Sequence, residues 1–366
     1  MLTVLATADY MKIGCDPKMF FDLNGEPYRL VEDDRDGPVD VLLTYPWYRR
    51  EEADQQRAQY RHRIAVEIDL WHGFESCIAW YNQSGSYHCN NYMITVAGTD
   101  STVSNSNIIP LEFSFNRLKA YYGQFPFSPG WTPYYHNGPY TYIVPRLTDG
   151  SNKTKIFVAP VNTSNARADH PVRARIAVAQ VIRQQYYHLG HMSDYSEQHP
   201  NDYLHSHYVF AAMNNVNWIK NQPIKSTQIF YGVPPHNAYY NDTFISIFGE
   251  TMESGTTQVI TEKTYDPLIK GHFILPFSTP HFLDMVRSRG ILLPDFVDYS
   301  YDTIEDFDQR LASWLTEMRR LLSMPIEHWR ELYKKNFDLL YENQVWMWRR
   351  DYDRIDIQAL LAKSNT

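Results

Sequence analysis

At 366 residues the chain exceeds one ordinary domain, and its 43% apolar content can supply two hydrophobic cores, so two domains are expected. A net charge of −8 excludes a protein that coats nucleic acid by bulk electrostatics and leaves only a local basic face for such contacts. Three scattered cysteines (Cys15, Cys77, Cys89), an N-terminus without a signal peptide's basic region and the lack of a long apolar run exclude a disulfide framework, a zinc ribbon and a membrane span, and make a reducing, cytoplasmic setting the expectation.

Residues 2–7 (LTVLAT) read as a first strand and residues 40–44, centred on Val41, Leu42 and Leu43, as a second. Between them lies the acidic turn stretch Asp33-Asp34-Arg35-Asp36-Gly37-Pro38. Residues 48–63 are polar, with five arginines interleaved with Tyr48 and Tyr60. They read as a surface helix or a loop, either simply solvated or meeting a phosphate-bearing acceptor. Residues 64–70 (IAVEIDL) are a third strand, on which alternation puts Glu67 and Asp69 on one face with Glu75 just beyond. Residues 92–97 (YMITVA) are a fourth; repeated strands with short intervening segments indicate an α/β sheet. Residues 123–154, dense in Gly, Pro, Tyr and Asn, cannot sustain a regular element and read as the connection between domains.

A fresh strand at residues 155–160 (KIFVAP) opens the second half. A helix follows, ending near Tyr187, with Arg173 and Arg175 at its start and Arg167 shortly before. Positive charge at a helix start opposes the dipole, so this cluster either holds an anion or sits in water as a basic turn. His188, His191, His205 and His207 match no strong zinc spacing, and no metal site is expected from them.

Residues 244–277 carry the strongest signal. An apolar strand at 244–248 leads through Glu250 and Glu253 to a helix that opens at Thr261-Glu262-Lys263-Thr264 and closes with Gly271 as its C-cap; a second apolar strand, 273–277, follows directly. This order is a βαβ unit, and the crevice at the carboxyl ends of its strands is where such sheets bind ligands. Pro267 is expected to kink or shorten the helix. Free amides and the positive dipole end favour a phosphate at the helix start, Lys263 adds a full charge, and Glu262 can accept from ribose hydroxyls. The plain alternative is a solvated Glu-Lys pair contributing a few tenths of a kcal/mol. Further helices are expected at 280–289, capped by Gly290, at 304–323 with Phe307, Leu311, Trp314, Leu315, Met318 and Leu322 on one face, and from Pro325 onward.

The run GETMESGTTQVITEKTYDPLIKG resembles the donor-binding signature of the α-1,3-fucosyltransferases. It is more similar still to a group of phage and virus glycosyltransferases that share TEKT-x-x-P-x-x-x-G-x-F-I. Residues 155–343 match more loosely, and FNRLKAYY at residues 115–122 is similar to an FNR-x-KAYY run of the phage group. The resemblance implies an α/β fold of the GT-B kind, two Rossmann-like domains facing across a cleft. Residues 1–150 would hold the acceptor and residues 151–345 a nucleoside diphosphate-sugar, while residues 346–366, rich in Trp346, Trp348 and Tyr352, would return as a terminal helix to the first domain.

For the site, the resemblance implies Arg173 at the pyrophosphate, with Arg175 and Arg167 as alternatives, and Glu250, Thr261, Glu262, Lys263 and Thr264 around the donor. It implies no metal and no other cofactor, arginine and lysine offsetting the charge of the leaving diphosphate. The D-x-D pairs Asp306-Phe-Asp308 and Asp351-Tyr-Asp353 fall in helical or terminal segments, away from strand ends. An inverting transfer needs a base in the first domain, for which Glu67 and Asp69 are the candidates; the alternatives are that they are solvent-facing carboxylates of an edge strand, or that transfer is retaining and needs no such base. The chain lacks the Gly-Glu-Asn that precedes a proline in the fucosyltransferases, which leaves both the base and the sugar open. The expected activity is transfer of a hexose or pentose from a UDP- or GDP-sugar to a hydroxyl. The phage likeness points to a 5-hydroxymethylpyrimidine in DNA; the alternatives are a glycan acceptor, or a non-catalytic sugar- or nucleotide-binding protein using its many aromatic rings. A nicotinamide oxidoreductase is disfavoured, since no Gly-x-Gly-x-x-Gly follows a strand.

Overall fold

The structure, a computed structural model, describes residues 1–6, 21–22, 27–31, 35, 37–44, 60–69, 91–95, 108–110, 147–161, 173–194, 237–255, 258–350 and 354–363. Two compact units emerge, Met1–Tyr142 with Asp351–Thr366, and Ile143–Arg350. Each is an α/β unit built on an all-parallel, Rossmann-like sheet, the expected fold class.

The first unit contains β1 (Leu2–Ala6), β2 (Phe21–Asp22), β3 (Tyr28–Val31), β4 (Val39–Thr44), β5 (His62–Asp69), β6 (Asn91–Thr95) and β7 (Ile108–Pro110). Six of these form one sheet in the order β3-β1-β4-β5-β6-β7, every neighbouring pair parallel. This is a doubly wound order whose direction reverses between β1 and β4. Val41, Leu42, Leu43, Ile64, Ala65 and Val66 are all buried. Their unbroken apolar runs mark strands covered on both faces, as parallel sheets require. The edge strand β3 escapes sequence reading because Tyr28-Arg29-Leu30-Val31 is short and has no buried position. β5 begins earlier than its apolar centre suggests: His62 and Arg63 belong to it, and Arg63 pairs with Asp40 at 3.0 Å. The arginine-bearing residues 49–57, the FNRLKAYY run, Glu75 and Arg167 lie outside the described residues.

The second unit runs β8 (Phe157–Val161), α1 (Arg173–Val181), β9 (Gly190–Asp194), α2 (Asn237–Asp242), β10 (Ile245–Gly249), α3 (Glu262–Ile269), β11 (Phe273–Phe277), α4 (Phe282–Ser288), α5 (Phe307–Leu322), α6 (Ile326–Lys335) and α7 (Phe337–Arg349). Its sheet order, β11-β10-β8-β9, repeats the first unit's winding and reverses between β8 and β10. All five residues of β10 and of β11 are buried. After α1 the chain widens into a π-turn, Ile182–Tyr186, and then tightens into a 3-10 turn, so the long helix expected there changes its winding instead of continuing. In α3, Pro267 deprives the Lys263 carbonyl of its usual partner, yet the helix reaches Ile269. It closes as a Schellman turn, His272 N donating to Pro267 O at 2.9 Å and Gly271 N to Leu268 O at 3.1 Å, with Gly271 at φ +68.

Trp346 on α7 packs within the second unit, stacking on Tyr265 at 5.9 Å. Beyond it β12 (Ile355–Asp356) pairs in parallel with β2, and α8 (Ile357–Lys363) follows, both within the first unit.

Candidate functional site

In a doubly wound sheet the carboxyl ends of the strands flanking the reversal form a natural binding crevice. In the second unit these are the ends of β8 and β10, and two helix starts meet there. Glu250, the residue after β10, is fully buried, and a buried carboxylate must have its lone pairs filled. Oε1 accepts from Thr261 N at 3.2 Å and Thr264 Oγ1 at 2.6 Å, while Oε2 accepts from Thr261 Oγ1 at 2.6 Å and Thr251 N at 3.1 Å. Thr261 Oγ1 also accepts from Lys263 N at 3.2 Å, which makes Thr261 the N-cap of α3. The amides of Thr261 and Lys263 are therefore satisfied internally, and the cation at this helix start is the partly exposed Lys263 side chain. Its ammonium donates to Glu262 Oε1 at 3.0 Å, Thr261 Oγ1 at 3.3 Å and Thr251 Oγ1 at 3.4 Å, with the side chain only 20% exposed. Lys263 is folded back onto Thr251 and Thr261 and keeps only part of its surface in water.

The start of α1 reaches the same place. Arg175 is buried, its Nε donating to Gly249 O at 3.3 Å and its Nη2 to Glu250 O at 2.7 Å. Glu253, also buried, accepts from Ala174 N through Oε2 at 2.9 Å. Its other oxygen, Oε1, makes no hydrogen bond, and Arg175 Nε stands 3.8 Å away. Burial pushes the Glu253 carboxyl up to about 7, against the pull of Arg175 and the helix amides. Gly249 is required here: a Cβ would lie 2.9 Å from Arg175 Cγ and 3.0 Å from Glu253 Oε1. Arg173 is exposed, pairs with Asp308 and lies 4.4 Å over the Phe307 ring.

The sequence-expected residues thus divide. Arg175, Glu250, Thr261 and Thr264 face inward and hold the frame, while Arg173, Glu262 and Lys263 keep access to solvent. Glu67 and Asp69 lie in the last residues of β5, in register with Met93 and Thr95 of β6. Asp306 caps α5 through Gln309 N at 2.9 Å, and Asp308 follows in its first turn.

Sequence reasoning missed Arg310. It is 1% exposed and donates to the carbonyls of Ile304 (2.7 Å), Glu305 (3.0 Å), Glu253 (3.0 Å) and Ser278 (3.2 Å), tying the end of β11 to the Glu253 loop. The signal was present: Arg310 lies three residues after Phe307 and four before Trp314, on the apolar stripe of α5, where a charge needs an internal purpose. His191 pairs with Asp242 at 3.0 Å. Among the described residues no group of three or more His, Cys, Asp or Glu side chains is arranged to hold a metal ion. No described helix is long and apolar enough to cross a membrane.

Fold and site together define a doubly wound α/β protein whose second unit carries paired helix starts and a lysine at its topological switch point. No protein-family model matches the chain, and no curated protein matches it. Among solved structures, the crystal structure of an alpha1,3-fucosyltransferase aligns over 100% of this chain and 88% of its own, at 12% identity and a TM-score of 0.43. Identity that low assigns no residue a role.

Proposed function

We propose that the second unit binds a nucleoside diphosphate-sugar at the carboxyl ends of β8, β10 and β11, and that the chain transfers the sugar to an acceptor hydroxyl. The observation that carries this reading is the double use of Glu250. Its carbonyl receives Arg175 from the start of α1 and its carboxylate receives Thr261 and Thr264 from the start of α3, so both helix starts are anchored at one strand end. Anchored so, the two helix starts carry the partly exposed cations Lys263 of α3 and Arg173 of α1, and two cations beside one strand end suit a diphosphate.

In this reading Lys263 is the cation beside the diphosphate, and Arg173 exchanges Asp308 for a phosphate oxygen. Glu262 accepts from the ribose hydroxyls. Arg175, Glu250, Thr261 and Thr264 keep these groups in place. The acceptor oxygen attacks the anomeric carbon as the carbon–phosphate-oxygen bond breaks; its proton passes to Glu67 or Asp69, and Lys263 and Arg173 offset the charge on the departing diphosphate. The acceptor we favour is a 5-hydroxymethylpyrimidine in phage DNA, the arginines of residues 48–63 meeting its backbone.

A panel of UDP-, GDP- and ADP-sugars, assayed for nucleoside diphosphate release with and without hydroxymethylated DNA, tests this. Release that depends on Lys263 supports the transferase. Binding without release by the unaltered protein would make it a non-catalytic sugar- or nucleotide-binding protein.

A further inference from the structure

We propose that Glu253 is a proton-linked positioning residue of this crevice: ionised, it holds the first turn of α1, and it takes up a proton when a nucleotide-sugar diphosphate settles beside it. The proposal rests on the reading of the site given above.

Three observations carry it. First, a helix start favours an anion, and at α1 the chain supplies its own, Glu253 Oε2 on Ala174 N at 2.9 Å. Secondly, the hydrogen bonding of this carboxylate is half complete. Oε1 is buried and accepts no hydrogen bond, unlike Glu250 three residues earlier, whose two oxygens receive four donors. A proton added to that oxygen breaks no hydrogen bond and gives up only the 3.8 Å ion pair with Arg175. Thirdly, the pair has no slack: Gly249 leaves no room for a Cβ between Arg175 and Glu253, so a change in Glu253 charge is felt directly by Arg175 and the end of β10.

The charged groups acting on Glu253 are Arg173 and Arg175 on α1 and Arg310 on α5, which binds the Glu253 carbonyl; Glu250 meets the same Arg175 through its own carbonyl, and Asp308 of α5 is held by Arg173. The three arginines favour the ionised carboxylate, whereas burial and any arriving anion favour the neutral acid. Burial already brings the group to about 7, so an added diphosphate moves it through the neutral range and binding draws in a proton.

The test uses UDP-glucose and GDP-mannose, whose diphosphates do not themselves titrate near neutrality. Affinity should weaken as pH rises from about 6 to about 8.5, by at most about tenfold per unit. Glu253→Gln, a neutral mimic of the acid, should bind across that range as the unaltered protein does at low pH. Calorimetry of the unaltered protein in two buffers of different ionisation enthalpy should show proton uptake near neutrality, a readout that does not depend on the variant folding. Binding without uptake, or identical pH profiles for Glu253→Gln and the unaltered protein, would overturn the proposal while leaving the donor site standing. Failure of both nucleotide-sugars to bind at every pH would overturn both.

Discussion

Thr261 grips Glu250 twice, its amide donating to Oε1 at 3.2 Å and its hydroxyl to Oε2 at 2.6 Å. One residue thereby caps α3 and fastens that helix to the end of β10. The consequences can be measured.

Glu250→Gln keeps the shape but sets an NH2 against groups that donate. Because the site is fully buried, a donor left unmatched there costs its full desolvation, about 1–3 kcal/mol. The urea midpoint should fall accordingly, with the slope of the transition unchanged. A midpoint equal to that of the unaltered protein would show that the carboxylate does not organise the strand end.

Lys263→Ala should leave stability nearly as it was, since a partly exposed pair with Glu262 is worth under about 1 kcal/mol. Affinity for a nucleoside diphosphate should drop by about 10- to 100-fold, the loss of one charge-assisted contact. Lys263→Arg should recover part of it. Titration by isothermal calorimetry separates the two effects, and unchanged affinity would remove Lys263 from the site.

Lys153 is buried near the amino ends of the strands, donating to Tyr240 O at 2.8 Å and Thr243 O at 2.5 Å, with the Tyr333 ring 5.0 Å away. Burial lowers its pKa from 10.5 to about 7, outweighing the attraction of Asp242. Between those values the unfolded chain keeps a proton that the folded chain has lost, so Lys153 makes stability rise with pH across that window. Lys153→Met should flatten this rise in chemical denaturation at pH 7, 8 and 9. Equal slopes in both proteins would mean that the ammonium stays charged in the fold.

Gly249→Ala should both destabilise the second unit and weaken nucleotide binding. Its Cβ would meet Arg175 Cγ at 2.9 Å and force the arginine off the carbonyls of Gly249 and Glu250. Overpacking of this kind costs about 1–3 kcal/mol. Thermal unfolding with and without UDP-glucose reads both effects; a variant that melts and binds normally would show that Arg175 can yield.

Much of this was legible in the residues. The apolar stretches at Val41-Leu42-Leu43, Ile64-Ala65-Val66 and in β10 and β11 read as strands from their residues, and they lie buried in parallel sheets. Thr261, Gly271 and Gly290 mark helix ends by local chemistry, a side-chain cap and two positive-φ positions, and those boundaries were readable for that reason. The short polar edge β3 and the start of β5 were not, since their strand state comes from pairing partners and not from their own pattern.

Within the site, sequence picked out Glu250, Lys263 and the arginines near residue 173 as a charged set but could not distribute their work. Which arginine faces inward depends on the β8–β10 reversal, which sets α1 across the end of β10. Glu253 and Ala174 are 79 residues apart, and no periodicity links them. Caps, strands and helix lengths follow from neighbours along the chain, so the amino-acid order determined them by itself. Strand order, the burial of Glu250 and Glu253 and the clamp of Arg310 arise where distant segments share one low-dielectric space, and only the tertiary structure decided those.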